Sequence, residues 1–328
     1  MSVIDDGDWR VPEPDDPDGA FDRSKTVFRD RIRDAPDARF PPEADRYHLY
    51  VSRACPWAHG AVLVRKLLGL DDVISMDVVD PYRDDRGWQF SPDRDGCTPD
   101  TVNGADYLAE VYRAADPGFD GHVSVPVLWD REHETIVNNE SIEVMQMLAT
   151  AFGELQTPDI DLYPADRREE IDRITTAIYE PVNNGVYRTG FAESQAAYDT
   201  AVAELFGALE DLDALLADQR YLAGERLTIA DLRLFPTLVR FDEVYHTHFR
   251  CNRRQVTDYQ NLWGYTRELY QLAGVAETVN MEHIKEHYYT THDSLNPKRI
   301  VPVGPDPDFR SPHDRDALPG GPPEALRN

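Results

Sequence analysis

Apolar and polar positions alternate in Tyr47-His48-Leu49-Tyr50-Val51, and this run predicts a short β-strand. The period then changes. Pro56–Leu68 carries apolar side chains three and four residues apart, as an amphipathic helix does, and Pro56 suits the first helical position because its missing donor costs nothing there. Val73–Val79 alternates again and reads as a second strand, Val123–Asp130 and Thr135–Val137 as a hairpin, and Glu140 to about Phe152 as a helix. Between the second strand and the hairpin, Asp80–Gly121 is a long polar insertion, and its centre, Ser91–Asp100, shows neither period. Beyond Pro158 the pattern is helical throughout. Ala165–Tyr179, Ser194–Leu216, Thr228–Tyr245 and Leu262–Leu272 are joined mostly by short loops, as in a helical bundle. Thr228 and Asp231 have the spacing of a capping box, with Leu227 placed as its hydrophobic staple.

This order of elements predicts an α+β chain of two domains, an N-terminal thioredoxin-like βαβ-ββα domain followed by an all-α helical bundle. The expected boundaries are an arm at 1–45, the thioredoxin-like domain at 46–156 with its insertion at 80–121, the helical domain at 157–290, and a coil tail at 291–328. Within the arm a short helix is expected around Thr26–Ile32. Pro126 interrupts an otherwise good strand, and in a thioredoxin-like domain that position calls for a cis Val125–Pro126 bond facing the first helix.

Composition narrows the partners. The 328 residues hold 61 acidic and 34 basic side chains, a net charge of -27, which argues against nucleic acid or an anionic membrane surface. Nearly all the basic residues are arginine; the lysines are Lys25, Lys66, Lys285 and Lys298. Acidic excess with scarce lysine is expected of a protein working in concentrated salt, where the Debye length shrinks to a few ångströms. Cys55, Cys97 and Cys251 are too few and too scattered for a disulfide framework or a zinc site, so a reducing cytoplasm and no metal are expected. No apolar run approaches the roughly 20 residues a bilayer demands.

Cys55 carries the candidate chemistry. It stands at a predicted strand-to-helix turn, in Ser52-Arg53-Ala54-Cys55-Pro56-Trp57-Ala58-His59, where free amide groups and the helix dipole favour the thiolate. Ala58 occupies the place where a Cys-x-x-Cys motif has its second cysteine, so Cys55 is expected to form mixed disulfides with a second molecule. His59 reads as a partly exposed residue of the same helix.

These motifs have a family likeness. Tyr47–Ser52 with Ala54–His59, Gly87-Trp88-Gln89-Phe90, Val125–Asp130, Thr135–Ser141, Val182–Tyr187, Leu234–Asp242 and His287-Tyr288-Tyr289 together resemble the glutathionyl-hydroquinone reductases, or Xi-class glutathione transferases, over about residues 21–304. The resemblance implies a glutathione transferase fold and a reductive deglutathionylation. Cys55 would be the nucleophile, with Tyr187 and Tyr288 as donors to the hydroquinone oxygens and Tyr289 as the adjacent alternative. It also implies a thiol co-substrate held by Trp88, the Val125 backbone, Glu140 and Ser141, and a homodimer joined through the helical domain. One departure stands out. The family usually carries arginine where this chain has His122, and imidazole lacks the fork and fixed charge that grip a glycyl carboxylate. The thiol is therefore expected to be glutathione or γ-glutamylcysteine, which lacks that glycine. The rival readings are a glutaredoxin-like thiol transferase or dehydroascorbate-type reductase, which would not need the two tyrosines, a conjugating transferase, which normally uses Ser or Tyr in place of Cys55, and a non-enzymatic binding protein on the same fold.

Overall fold

The computed structural model describes residues 3–5, 8–10 and 26–327. The chain divides into two compact units: the first holds described residues 3–5, 8–10, 26–159 and 280–291, the second 160–279 and 292–327. A short antiparallel pair, β1 (Val3–Asp5) and β2 (Asp8–Arg10), comes first.

The first unit is built on a four-stranded sheet. Its elements in order are β3 (Tyr47–Val51), α1 (Pro56–Leu67), β4 (Ser75–Val78), α2 (Leu108–Ala115), β5 (Val127–Asp130), β6 (Thr135–Asn138) and α3 (Ser141–Thr150). The strand order is β4-β3-β5-β6, with β3 parallel to β4 and antiparallel to β5, so Leu49 pairs with Met76 on one side and Leu128 on the other. All five positions of β3 are buried, because both faces of the sheet are covered. Successive side chains point to opposite faces. Tyr47 meets Phe152 just beyond α3, whereas Tyr50 turns to the insertion and donates to Asp100 at 2.8 Å. After α1 the chain must turn sharply: Gly69 sits at φ 62°, and a Cβ there would lie 1.7 Å from the Thr157 carbonyl oxygen, so only glycine fits.

Several expectations need correction here. The second strand spans only Ser75–Val78, and the hairpin's first strand only Val127–Asp130. The insertion is not irregular throughout, because α2 buries Leu108, Ala109, Val111 and Tyr112. No helix forms at 26–32; Arg29 instead bridges Asn138 in extended conformation, and its guanidinium pairs with Glu143 at 2.7 Å. His59 is buried rather than partly exposed, because α1 is covered almost all round.

The second unit is helical: α4 (Arg168–Ile178), α5 (Gly185–Gly190), α6 (Gln195–Asp218), α7 (Ile229–Arg240) and α8 (Gln260–Gln271). The predicted helices at 165–179 and 228–245 each pass into a π-helical turn at their C-terminal end, Tyr179–Asn183 and Phe241–Tyr245. The capping box forms as expected. Asp231 accepts from the Thr228 amide at 2.8 Å, and also from the Tyr265 hydroxyl and the Leu222 amide. Burial pushes its carboxyl up to about 6 against the lowering effect of these hydrogen bonds. The last helix, α9 (Met281–Thr291), clusters with the first unit, which departs from the domain expected at 157–290. The coil tail is anchored: Arg315 donates to the carbonyls of Gln219 at 2.8 Å and Arg220 at 2.7 Å, beyond the end of α6.

Candidate functional site

Cys55 is the N-cap of α1, with extended backbone at φ -76° and ψ 121°. A short turn separates it from β3, and its amide donates to the Ser52 carbonyl at 3.1 Å, which closes the turn that presents the sulfur. The Val125–Pro126 bond is cis, as expected. The Val125 carbonyl lies 3.8 Å from the Cys55 Sγ, so the two halves of the thioredoxin-like order meet at this atom. The three cysteines differ in surroundings. Cys55 and Cys97 are both half-buried and Cys251 is enclosed; burial pushes the Cys97 thiol up to about 11 and holds Cys251 higher still. Of the three, Cys55 is the one that stands at the N-terminus of a helix.

Glu140 and Ser141 stand side by side at the start of α3, Glu140 as N-cap and Ser141 as first helical residue. Amides in the first turn of a helix have no intrahelical acceptor and present partial positive charge, which suits a carboxylate. The Glu140 carboxylate accepts from the Thr26 hydroxyl at 3.1 Å, and its amide donates to the Asn138 side chain at 2.7 Å. Arg29 and Asn138 hold the neighbouring Glu143. Burial alone would raise that carboxyl, but their hydrogen bonds and the charge of Arg31 outweigh it and bring it down to about 2. His122 is half-buried, just ahead of the loop that carries Val125.

Trp88 is almost fully buried. Its ring stacks on His287 of α9 at 5.0 Å, and the Arg83 guanidinium lies over it at 5.6 Å. His287 in turn hydrogen-bonds the Pro81 carbonyl through Nδ1 at 2.7 Å and meets the Tyr288 ring edge-on at 5.2 Å. Because a carbonyl only accepts, Nδ1 carries the proton. Tyr288 has no exposed surface (0 %) and Tyr289 very little. Within the first unit, then, Cys55 meets Val125, while Trp88 and Tyr288 are joined through His287.

Tyr187 belongs to α5 of the second unit, and it is half-exposed. An aromatic wall backs it: Phe249 at 5.3 Å, Tyr245 at 6.0 Å and Phe191 at 6.4 Å. Gly190 makes the wall close-packed, since a Cβ there would fall 2.4 Å from the Phe249 ring. Beside it, burial and the Arg250 charge take His248 down to about 4, so this imidazole is neutral near pH 7. The Tyr245 and Phe249 rings have no exposed surface, so the wall supports the Tyr187 ring from beneath.

Two residues near the site escaped the sequence reading. The Tyr112 hydroxyl donates to the Ser124 carbonyl at 2.8 Å and accepts from the Asn139 side chain at 3.1 Å. A signal for Tyr112 was present in Leu108, Val111 and Tyr112, spaced i, i+3 and i+4, although the polar surroundings hid it; Asn139 had none.

Comparison with known proteins places the chain in a family. The family models for the glutathione S-transferase N-terminal and C-terminal domains match residues 54–151 and 195–268. The glutathionyl-hydroquinone reductase YqjG of Escherichia coli strain K12 is 48% identical over 304 residues, 91% of this chain and 93% of that one. The glutathionyl-hydroquinone reductase PcpF of Sphingobium chlorophenolicum is 47% identical over 307 residues, 93% of this chain and 96% of that one. Among solved structures, a Xi-class transferase from Natrialba magadii is 57% identical with a TM-score of 0.93, covering 98% of each chain. A glutathione-bound structure of the E. coli protein is 46% identical with a TM-score of 0.86, covering 91% of this chain and 98% of that one.

Proposed function

The chain belongs to the glutathionyl-hydroquinone reductases, the Xi class of glutathione transferases, and from that membership we propose that it removes glutathione or γ-glutamylcysteine from glutathionyl-hydroquinones through a mixed disulfide at Cys55. The observation that carries the reading is the half-buried Cys55 sulfur at the mouth of α1, 3.8 Å from the Val125 carbonyl. In the first step the Cys55 thiolate attacks the adduct's sulfur. The adduct reacts as its keto tautomer, its sulfur-bearing ring carbon having already taken a hydroxyl proton. The sulfur–carbon bond breaks, its electron pair re-forms the aromatic ring, and the ring oxygen takes the charge and then a proton. In the second step another thiol, as thiolate, attacks the mixed disulfide, which frees Cys55 and releases a disulfide. The adduct's ring carbon is reduced by two electrons, one from its own sulfur and one from the sulfur of the incoming thiol.

Charge developing on the ring passes to its oxygens, so donors there stabilise the transition state. We assign that task to Tyr187 and Tyr288, because a phenol is protonated near neutral pH and donates readily. Tyr187 is the more accessible of the two, so Tyr187→Phe is expected to slow turnover more than Tyr288→Phe; Tyr289 is the alternative neighbour. Val125, Glu140, Ser141 and Trp88 are proposed to hold the thiol. His122 in place of arginine favours γ-glutamylcysteine as the physiological thiol, and a strong kinetic preference for glutathione would end that idea. A homodimer through the helical domain and a reducing cytoplasm are proposed as the setting. Among the described residues no helix is long and apolar enough to cross a membrane.

The test is direct. After treatment with oxidised glutathione, the intact protein is expected to gain one glutathionyl group, lost on Cys55→Ser. The same variant is expected to lose turnover of a glutathionyl-menadione adduct. Retained turnover in Cys55→Ser would refute the mechanism.

A further inference from the structure

The two backbone segments proposed to hold the thiol flank the β5–β6 hairpin, and besides its strand pairing one buried oxygen joins them. The Tyr112 hydroxyl donates to the Ser124 carbonyl at 2.8 Å, accepts from the Ser124 amide at 3.2 Å, and accepts from the Asn139 Nδ2 at 3.1 Å. A phenol has one proton and two acceptor positions, so this set exhausts it. Ser124 is the residue before Val125, and Asn139 the residue before Glu140-Ser141. Asn139 is locked in turn, since its Oδ1 accepts from the Phe28 amide and its own amide donates to the Phe28 carbonyl, both at 3.2 Å. The Tyr112 ring has little freedom to shift, being packed against Phe119 at 4.9 Å and Phe28 at 5.8 Å.

We propose that Tyr112 is a positioning residue for γ-glutamyl thiols, its hydroxyl fixing the separation between the Val125 peptide and the start of α3. This rests on the thiol-site reading above, in which the cysteinyl backbone meets Val125 and the γ-glutamyl group meets Glu140-Ser141. A γ-glutamylcysteinyl unit spans both segments and is sensitive to their spacing. A short thiol such as 2-mercaptoethanol reaches only the sulfur and is not.

The experiment uses the full-length protein and two menadione adducts, one glutathionyl and one made with 2-mercaptoethanol, with 2-mercaptoethanol as reducing thiol in both. Tyr112→Phe keeps the ring and removes the oxygen. It is expected to raise KM for the glutathionyl adduct about tenfold, the scale of one lost buried hydrogen bond, with kcat little changed. Turnover of the mercaptoethanol adduct is expected to stay within about twofold, since no lost bond touches it. An equal fall with both adducts would mean general damage to the fold or to Cys55 and would overturn the proposal, as would no change with either. Should Tyr112→Phe fail to fold, Asn139→Ala cuts one of the two links and is read the same way. A wild-type protein with no preference for the glutathionyl adduct would defeat the thiol-site reading itself, and the positioning role with it.

Discussion

The insertion at 80–121 and the tail at 292–327 are both rich in Asp, Pro and Gly and lack sustained periodicity, yet opposite charges order them. Carboxylates organise the insertion. Asp100 accepts from the Tyr50 hydroxyl and from the amides of Val102, Asn103 and Ala105, and Asp77 accepts from the Thr101 amide and hydroxyl at 2.7 Å. Guanidinium and amide groups organise the tail. Arg315 donates to the Gln219 and Arg220 carbonyls, Arg220 to the Gly320 carbonyl, and Gln271 to those of Phe309 and Ser311. The difference follows from what each segment leaves unpaired. A loop doubling back on itself clusters amides, which one carboxylate satisfies. A coil tail meeting a helix end faces orphan carbonyls, which only a donor satisfies.

Breaking the tail's anchor has the largest expected effect. Arg315 and Glu268 are each 2 % exposed, and Arg220 and Tyr221 also meet Glu268. Arg315→Ala is expected to cost about 3–5 kcal/mol, the scale of a broken buried ion network, read as a fall in urea midpoint. Arg315→Lys is expected to restore little, since an ammonium lacks the fork that reaches several carbonyls. A loss below about 1 kcal/mol would show that the tail is held by its other contacts.

The insertion's anchor comes next. Asp100→Ala is expected to cost about 2–3 kcal/mol, because amides and the Tyr50 hydroxyl lose a charged acceptor together. Asp100→Asn keeps one acceptor oxygen and is expected to cost less. Hydrogen exchange at Val102, Asn103 and Ala105 locates the damage, and unchanged exchange there would break the comparison.

Acid separates the two anchors more gently. Burial favours a raised Asp77 carboxyl, but hydrogen bonds from His48 and Thr101 prevail and the net shift is downward. A carboxylate depressed in the folded state stabilises above its unfolded pKa, about 3.9, and that stabilisation is lost as pH falls through the folded value. Glu143, at about 2, behaves likewise where Arg29 and Arg31 clasp it. Protection of the Thr101 amide is therefore expected to be flat from about pH 7 to 4 and to fall below that. Arginine keeps its charge throughout, so tail contacts to carbonyls are expected to outlast those of the insertion. The smallest effect belongs to an exposed pair. Asp30 and Arg39 are 3.2 Å apart with both side chains largely in solvent, and Asp30→Ala is expected to change stability by less than about 0.5 kcal/mol.

The parts legible in advance were those whose cause lies within about one helical turn. Cys55-Pro56 announced a helix start, Thr228 and Asp231 a cap, and Tyr47–Val51 a strand, and each occurs there. The helix expected at 26–32 failed because its residues do better against β6 and α3 than against one another: Arg29 and Arg31 pair with Glu143, more than a hundred residues away. Helix α2 was masked by its polar flanks, and nothing local to α9 marked its membership of the first unit.

By itself, then, the amino-acid order determined the two fold types, the placing of a single cysteine at a helix mouth and the caps that start the helices, because periodicity and capping act between near neighbours. The tertiary structure alone decided which carboxylate closes which loop, that the Arg315 guanidinium reaches carbonyls 95 and 96 residues away, and that one tyrosine oxygen ties Ser124 to Asn139. A hydrogen bond requires its donor and acceptor to meet in space, and separation along the chain does not encode that meeting.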